Sequence, residues 1–251
     1  MGGGNKLPKK YNKDDIDKEI VAESWELSTH PDDAYARMNE YDNGKTELWY
    51  VVEADENAYI YLGLKQTITK EDFCKAISTS TITDYLNKIS VKKDDGFLVE
   101  PGTLHSIGEG CLIAEIQEKS NVTYRVYDFN RKDLNGNLRP LHIDKALEVT
   151  NFKQSNHDGL PDEIIKQTAS TTIERLKKCD YFTVDYYAIK NKETINVNEE
   201  SFKVLMLTAG NAVVSTSDET VSLVQGESIF LSAGDYEVSV TGICEFLTVS
   251  L

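Results

Sequence analysis

No run of about 18 apolar residues occurs anywhere in the chain, so no membrane-spanning helix is expected. The stretch from Met1 to Lys10 holds no apolar core of the kind a secretory signal needs, and a cytoplasmic protein is the expectation. Cysteine is scarce: Cys74, Cys111, Cys179 and Cys244 are scattered, with no C-x-x-C pair. That argues against a dense disulfide framework, and leaves thiols expected to be reduced and mostly buried. Positive charge is short as well. Lys and Arg number 27 against 42 Asp and Glu, a net charge of −15, which lacks the field that draws proteins to nucleic acid or to anionic lipid. Histidine is limited to His30, His105, His142 and His157, so any imidazole chemistry is confined to those four.

What is present is ample apolar material. A hydrophobic fraction of 40% with 9% aromatics outweighs chain entropy, and 251 residues suffice for two domains. From Glu47 the pattern has period two or short apolar runs: Glu47 to Glu53, Ala58 to Leu62, Gly96 to Val99, Cys111 to Gln117 and Thr123 to Asp128. These read as strands divided by turns. Thr69 before K-E-D-F-C-K-A-I, with Asp72 three residues on, reads as a capped helix, and Thr83 starts a second short helical stretch. A polar segment, 151–178, breaks the rhythm, and eight short runs from Tyr181 to Val249 follow it. The expected fold is mainly β: two tandem jelly-roll barrels with a small helical insert. The expected boundaries are 1–150 for the first domain, 151–178 for a connector and 179–251 for the second.

His30 stands in His-Pro-Asp-Asp, where the proline places the imidazole at a strand end. His105 follows the turn Pro101-Gly102-Thr103-Leu104, and Glu47 opens the first strong strand. Two histidines and a carboxylate at strand ends form the His₂Glu set that catalytic zinc favours, with a fourth position open. The same residues near turns also commonly make ordinary solvated hydrogen bonds. His142, alternating with Leu141 and Ile143, reads as a strand residue, and His157 as part of the polar connector; both are left outside the site.

Longer motifs carry more. G-K-T-E-L-W-Y from Gly44, P-G-T-L-H-S-I-G from Pro101, T-Y-R-V-Y-D-F-N-R from Thr123, H-P-D-D from His30 and L-H-I-D-K-A from Leu141 stand in one order. Together they closely resemble class I mannose-6-phosphate isomerases of the short bacterial type, members of the cupin superfamily. The resemblance implies two cupin barrels, the first, 1–150, catalytic and the second metal-free. It further implies one Zn²⁺ per chain on His30, Glu47 and His105, and a small phosphorylated sugar as partner. Nucleic acid and membrane partners are not expected, and the chain is expected to be a monomer or a weak homodimer.

By the same resemblance Lys45, Arg125 and Glu115 are the catalytic candidates. Read as residues alone, Lys45 also fits a solvated turn lysine, Arg125 a surface strand residue and Glu115 half of a structural ion pair. The implied reaction interconverts mannose 6-phosphate and fructose 6-phosphate through an enediol. With the overall charge opposing an anion, capture would rest on a local cluster of Lys45, Arg125, Arg131, Lys132 and Arg139. Two departures stand out. The family has strands ahead of the segment matching Gly2 to Leu7, and a further internal segment before H-P-D-D, so that Trp25 here lies five residues from His30 and Ser28 takes the place of a family glutamine. The alternative is therefore a non-catalytic cupin that keeps metal or sugar-phosphate binding. An iron dioxygenase-type cupin is disfavoured by the lack of an H-x-H pair. In the second barrel, Glu237 stands where the first has His105.

Overall fold

In the computed structural model, which describes residues 26–132, 135–156, 159–160 and 163–251, the chain divides into two units with the boundary between Leu160 and Pro161. Trp25, the residues before it, and His157 lie outside the described residues. The N-terminal unit runs β1 (Leu27–Thr29), α1 (Asp33–Asn39), β2 (Glu47–Ala54), β3 (Tyr59–Leu64), α2 (Lys70–Ser78), β4 (Leu86–Ser90), β5 (Gly96–Val99), β6 (His105–Ile107), β7 (Cys111–Gln117), β8 (Tyr124–Tyr127) and α3 (Ile143–Val149). Its strands form two antiparallel sheets, β4-β3-β6-β1-β8 and β5-β2-β7.

Period-two patterning explains how the sheets meet. Trp49 and Val51 of β2 and Phe97 and Val99 of β5 share one buried cluster with Ile60 and Leu62 of β3, so these residues face one another between the sheets. Phe73 and Ala76 of α2, Ala146 of α3 and Ile82 pack with Leu27, Tyr124 and Val126, which covers the opposite face of the five-stranded sheet. The expected helical insert is present: the Thr69 hydroxyl accepts from the Asp72 amide at 3.0 Å and caps α2, and a single 3₁₀ turn, Ile82–Tyr85, follows.

His142 departs from its expected strand. It occupies the N-cap position of α3, because the chain turns to pack Ala146 into the core beneath β8. The thiols also depart from expectation. All four are free, yet only Cys244 is buried; Cys74 lies on the solvent side of α2, while Phe73 beside it takes the core side.

The C-terminal unit is one eight-stranded antiparallel sheet, built from β9 (Glu163–Gln167), β10 (Thr171–Lys178), β11 (Thr183–Ile189), β12 (Lys192–Val197), β13 (Lys203–Ser215), β14 (Thr220–Val224), β15 (Ser228–Leu231) and β16 (Tyr236–Ser250). Two of these strands lie in the stretch expected to be a connector: β10 pairs with β11 along its length, and β9 pairs with β10. Their polar sequences hid them. β9 is exposed at every residue, so no alternation marks it.

Two expected turns are absent for a different reason. The runs on either side of Gly210 are one strand, β13, and those on either side of Gly242 are one strand, β16; the two strands pair through both glycines. Gly210 has φ of +77°, and a Cβ there would strike the Ile243 carbonyl oxygen. Glycine bends the ladder here without breaking it. The core of this unit includes Leu205, Leu207, Val214, Val240 and Phe246, and Phe246 stacks on Tyr187 with ring centroids 4.6 Å apart. Truncating this side chain leaves a cavity that backbone-paired strands cannot close. Phe246→Ala is expected to cost about 3–5 kcal/mol, read as a lowered urea midpoint for the C-terminal unit. An unchanged midpoint would show that the core lies elsewhere.

Candidate metal centre

Three turns meet at one end of the N-terminal unit, and backbone bonds lock them together. The Lys45 amide donates to the Pro31 carbonyl at 3.1 Å, joining G-K-T-E to H-P-D-D, and the Gly102 amide donates to the His30 carbonyl at 2.8 Å, joining P-G-T-L-H to the same segment. The Asp33 carboxylate accepts from the Gly44 amide at 2.9 Å. Gly44 is required by this approach, since a Cβ there would lie 2.6 Å from the Asp32 carbonyl carbon and nearer still to the Asp33 nitrogen. On the other side, Glu118 accepts from the Thr46 amide at 3.3 Å and its own amide donates to the Thr46 carbonyl at 2.9 Å.

This lock brings His30, Glu47 and His105 together, all buried, with one donor atom from each within 4.8 Å of the others. Their imidazole rings are 4.6 Å apart. His30 Nδ1 pairs with the Val122 carbonyl at 3.0 Å and His105 Nδ1 with the Thr103 carbonyl at 2.9 Å. A carbonyl only accepts, so both Nδ1 atoms carry the proton and both Nε2 lone pairs are turned inward. His30 Nε2 then faces Glu47 Oε1 at 3.0 Å, yet it is buried and makes no hydrogen bond. Two lone-pair atoms at that distance, with no proton between them, could hold a cation.

Electrostatics agree. Burial pushes the Glu47 carboxyl up, but the nearness of His30, His105 and the Lys45 ammonium outweighs it and holds it well below the usual carboxylate range. Burial first, then His30, pulls His105 down to about 4. Trp49 Nε1 donates to Glu47 Oε2 at 3.0 Å, and Lys45 Nζ sits 2.8 Å from Glu47 Oε1 and 3.8 Å from Glu115 Oε1. Glu115 stands opposite Trp49 in the β2–β7 ladder and so shares its face; burial and the charge of Glu47 push its carboxyl up against the pull of Lys45.

Arg125 joins through the other sheet. Ser28 stands opposite both His105 and Arg125, and His105 opposite Leu62, so one row of side chains crosses β3, β6, β1 and β8 on a single face. Two strand spacings place the Arg125 backbone about 10 Å from that of His105. Its guanidinium meets Glu26, with Nε 3.2 Å from Oε2, and donates to the Pro140 carbonyl at 2.9 Å.

The expected basic cluster is only partly assembled. Arg131 and Arg139 both grip Asp128, and Arg139 also reaches Glu26 at 2.7 Å. Lys45 is instead engaged by Glu47, and Lys132 is tied in through a backbone bridge to Leu138. Asp33, Glu118, Trp49, Glu26 and His142 were not expected at the site. The Glu-x-Trp spacing of β2 carried the signal for Trp49, because strand residues two apart share a face.

Residues 172–251 match the family model described as the mannose-6-phosphate isomerase cupin domain. The chain is 36% identical over 218 residues to the mannose-6-phosphate isomerase of Streptococcus mutans, covering 86% of this chain and 67% of that protein. It is 31% identical over 228 residues to mannose-6-phosphate isomerase ManA of Bacillus subtilis, covering 90% and 70%. The crystal structure of a mannose 6-phosphate isomerase from Bacillus subtilis superposes with a TM-score of 0.83 at 30% identity, over 92% of this chain and 73% of that one.

The Glu118 clamp makes the site's support pH-dependent. Burial, with the adjoining Asp33 carboxylate, pushes Glu118 up to about 7, whereas an unfolded glutamate titrates near ~4.3. Between those values the folded chain holds more protons than the unfolded one, so this residue makes stability fall as pH rises. Glu118→Gln keeps a carbonyl acceptor for Thr46 and removes the titration. Melting curves from about pH 5 to 8 are expected to show a smaller loss of Tm in the variant than in the parent. Parallel curves would remove Glu118 from this role.

Proposed function

The chain belongs to the mannose-6-phosphate isomerase family, and on that premise we propose that it interconverts mannose 6-phosphate and fructose 6-phosphate by moving a proton between C1 and C2 through an enediol. The observation that carries this reading is the convergence of buried His30, Glu47 and His105, with His30 Nε2 left without a hydrogen bond, next to Lys45 and Glu115 and on the face that Arg125 shares. Those three side chains would hold a zinc ion, which would supply a Lewis acid for the sugar oxygens.

The chain's own residues do the rest. Glu115 is the proton carrier: a carboxyl pushed upward by burial and by Glu47 lies nearer the working pH of a base that must both take and return a proton. Lys45, within 4 Å of both Glu47 and Glu115, supplies a cation beside the oxygens where negative charge develops. Arg125 holds the anionic end of the substrate or the enediolate through its planar fork. A span of about 10 Å between the His105 and Arg125 backbones leaves room for a sugar phosphate with its reacting end beside Lys45 and Glu115 and its phosphate toward the Arg125 guanidinium. Glu237, in the C-terminal unit, pairs with Asn196 across β12 and β16. We assign this unit, proposed as a second cupin-type barrel, no metal and no catalytic residue.

His105→Ala removes a ligand that sits at a strand mouth, so the fold is expected to persist while metal content and turnover are both lost. Metal analysis and a coupled assay of fructose 6-phosphate check this, and chelation of the parent is expected to abolish turnover that added zinc restores. Full stoichiometric zinc in His105→Ala would sink the ligand assignment; metal binding without any turnover in the parent would favour the non-catalytic cupin. Arg125→Lys keeps the charge and loses the fork, and a drop in turnover of at least about tenfold is expected. Parental rates in that variant would return Arg125 to a structural role.

A further inference from the structure

We propose that His142 is a positioning residue that holds Arg125 in place across the site. The proposal rests on the reading of Arg125 as the anion-binding fork.

β8 ends the five-stranded sheet, so one edge of Arg125 is free of strand partners. The stretch Pro140 to His142 occupies that edge. The Arg125 amide donates to His142 Nδ1 at 3.0 Å, the His142 amide donates back to the Arg125 carbonyl at 2.8 Å, and Arg125 Nη1 donates to the Pro140 carbonyl at 2.9 Å. Backbone and guanidinium are therefore tied to the same three residues. An imidazole nitrogen takes the place that a strand carbonyl would fill.

The helix that follows shows that the ring serves this contact. His142 is the N-cap of α3, but its side chain makes no capping bond; histidine is a poor capping residue, and the ring is turned to Arg125 instead. The helix start is held by its backbone, where Ala146 donates to the His142 carbonyl at 2.9 Å.

To accept from the Arg125 amide, Nδ1 must be unprotonated. The groups facing the ring are Arg125 and Tyr124 of β8, Lys145 of α3, and Glu26 and Glu40. Burial first, then Arg125 and Lys145, pull it below the usual histidine range, against the two glutamates. At neutral pH the strap is closed. In acid the ring presents an N–H to an N–H, and the strap opens.

The test uses the full chain with His142→Ala, His142→Asn and Arg125→Lys. Asparagine offers a short acceptor that does not titrate. His142 is exposed, so both of its variants are expected to fold, with the melting temperature as control. For mannose 6-phosphate, His142→Ala is expected to raise KM about tenfold with a smaller change in kcat, and His142→Asn to recover most of that loss. As pH falls below the usual histidine range the parent's KM should rise more steeply than that of His142→Asn. Amide exchange at Arg125 should be slow in the parent and in His142→Asn, and fast in His142→Ala. A parental KM in His142→Ala, or equal losses in the alanine and asparagine variants, overturns the proposal. If Arg125→Lys keeps parental kinetics while the exchange pattern holds, the strap stands as structure, and it is the reading of Arg125 that fails.

Discussion

Burying the carboxylate of Glu47 is the constraint on which the rest of the N-terminal unit depends. A charge that is 1% exposed is costly unless cations and donors surround it. Lys45 and Trp49 each satisfy one oxygen directly, and the two imidazoles turn their Nε2 lone pairs toward the same place. The imidazoles add no proton of their own, because each gives its Nδ1–H to a backbone carbonyl. What remains around Glu47 is a set of acceptors whose natural complement is a divalent cation. The interlocked turns at Gly44, Pro31 and Gly102 are needed because three strands must deliver their ends to within a few ångströms of that point.

Charge is handled at two scales. The protein as a whole carries −15 and repels a sugar phosphate at long range. At short range, three arginines, Arg125, Arg131 and Arg139, share two carboxylates, Glu26 and Asp128, which leaves one positive charge in excess among them. The Asp128 carboxyl, though buried, is held below the usual range by Arg139 and Arg131. A network of this kind fixes guanidinium planes by paired hydrogen bonds, so that Arg125 is held in one orientation.

The C-terminal unit meets its own packing problem with length. β13 and β16 run through positions where glycine invites a turn, and they pair past the bend at Gly210 and Gly242. Each long strand thereby serves two regions of one sheet: β12 and β13 both pair with β16, and β14 and β15 both pair with β13. The buried residues from Ile189 to Phe246 form a single cluster as a result.

Period-two patterning was sufficient to read β2, β3, β5 and β7 to within a residue or two, and Thr69 with Asp72 marked the start of α2. In each case the determinant is local: side chains alternate across a pleat, and a hydroxyl reaches an amide three residues on. The donor types at His30, Glu47 and His105 were legible for the same reason, since each stands beside a turn that its neighbours dictate. β9 was not legible, because an edge strand exposed on both faces leaves no apolar trace and is defined only by the partner that supplies its hydrogen bonds. β10 lies inside the sheet, but its buried Ile173 and Leu176 fall out of period two across the bulge between Arg175 and Lys177. His142 was misread because alternation over three residues also fits the start of a helix, and only the packing of Ala146 under β8 decides between them. Its bond to Arg125, seventeen residues away in sequence, exists because the sheet ends at β8 and leaves an edge to be filled, a fact that belongs to strand order and not to any stretch of chain.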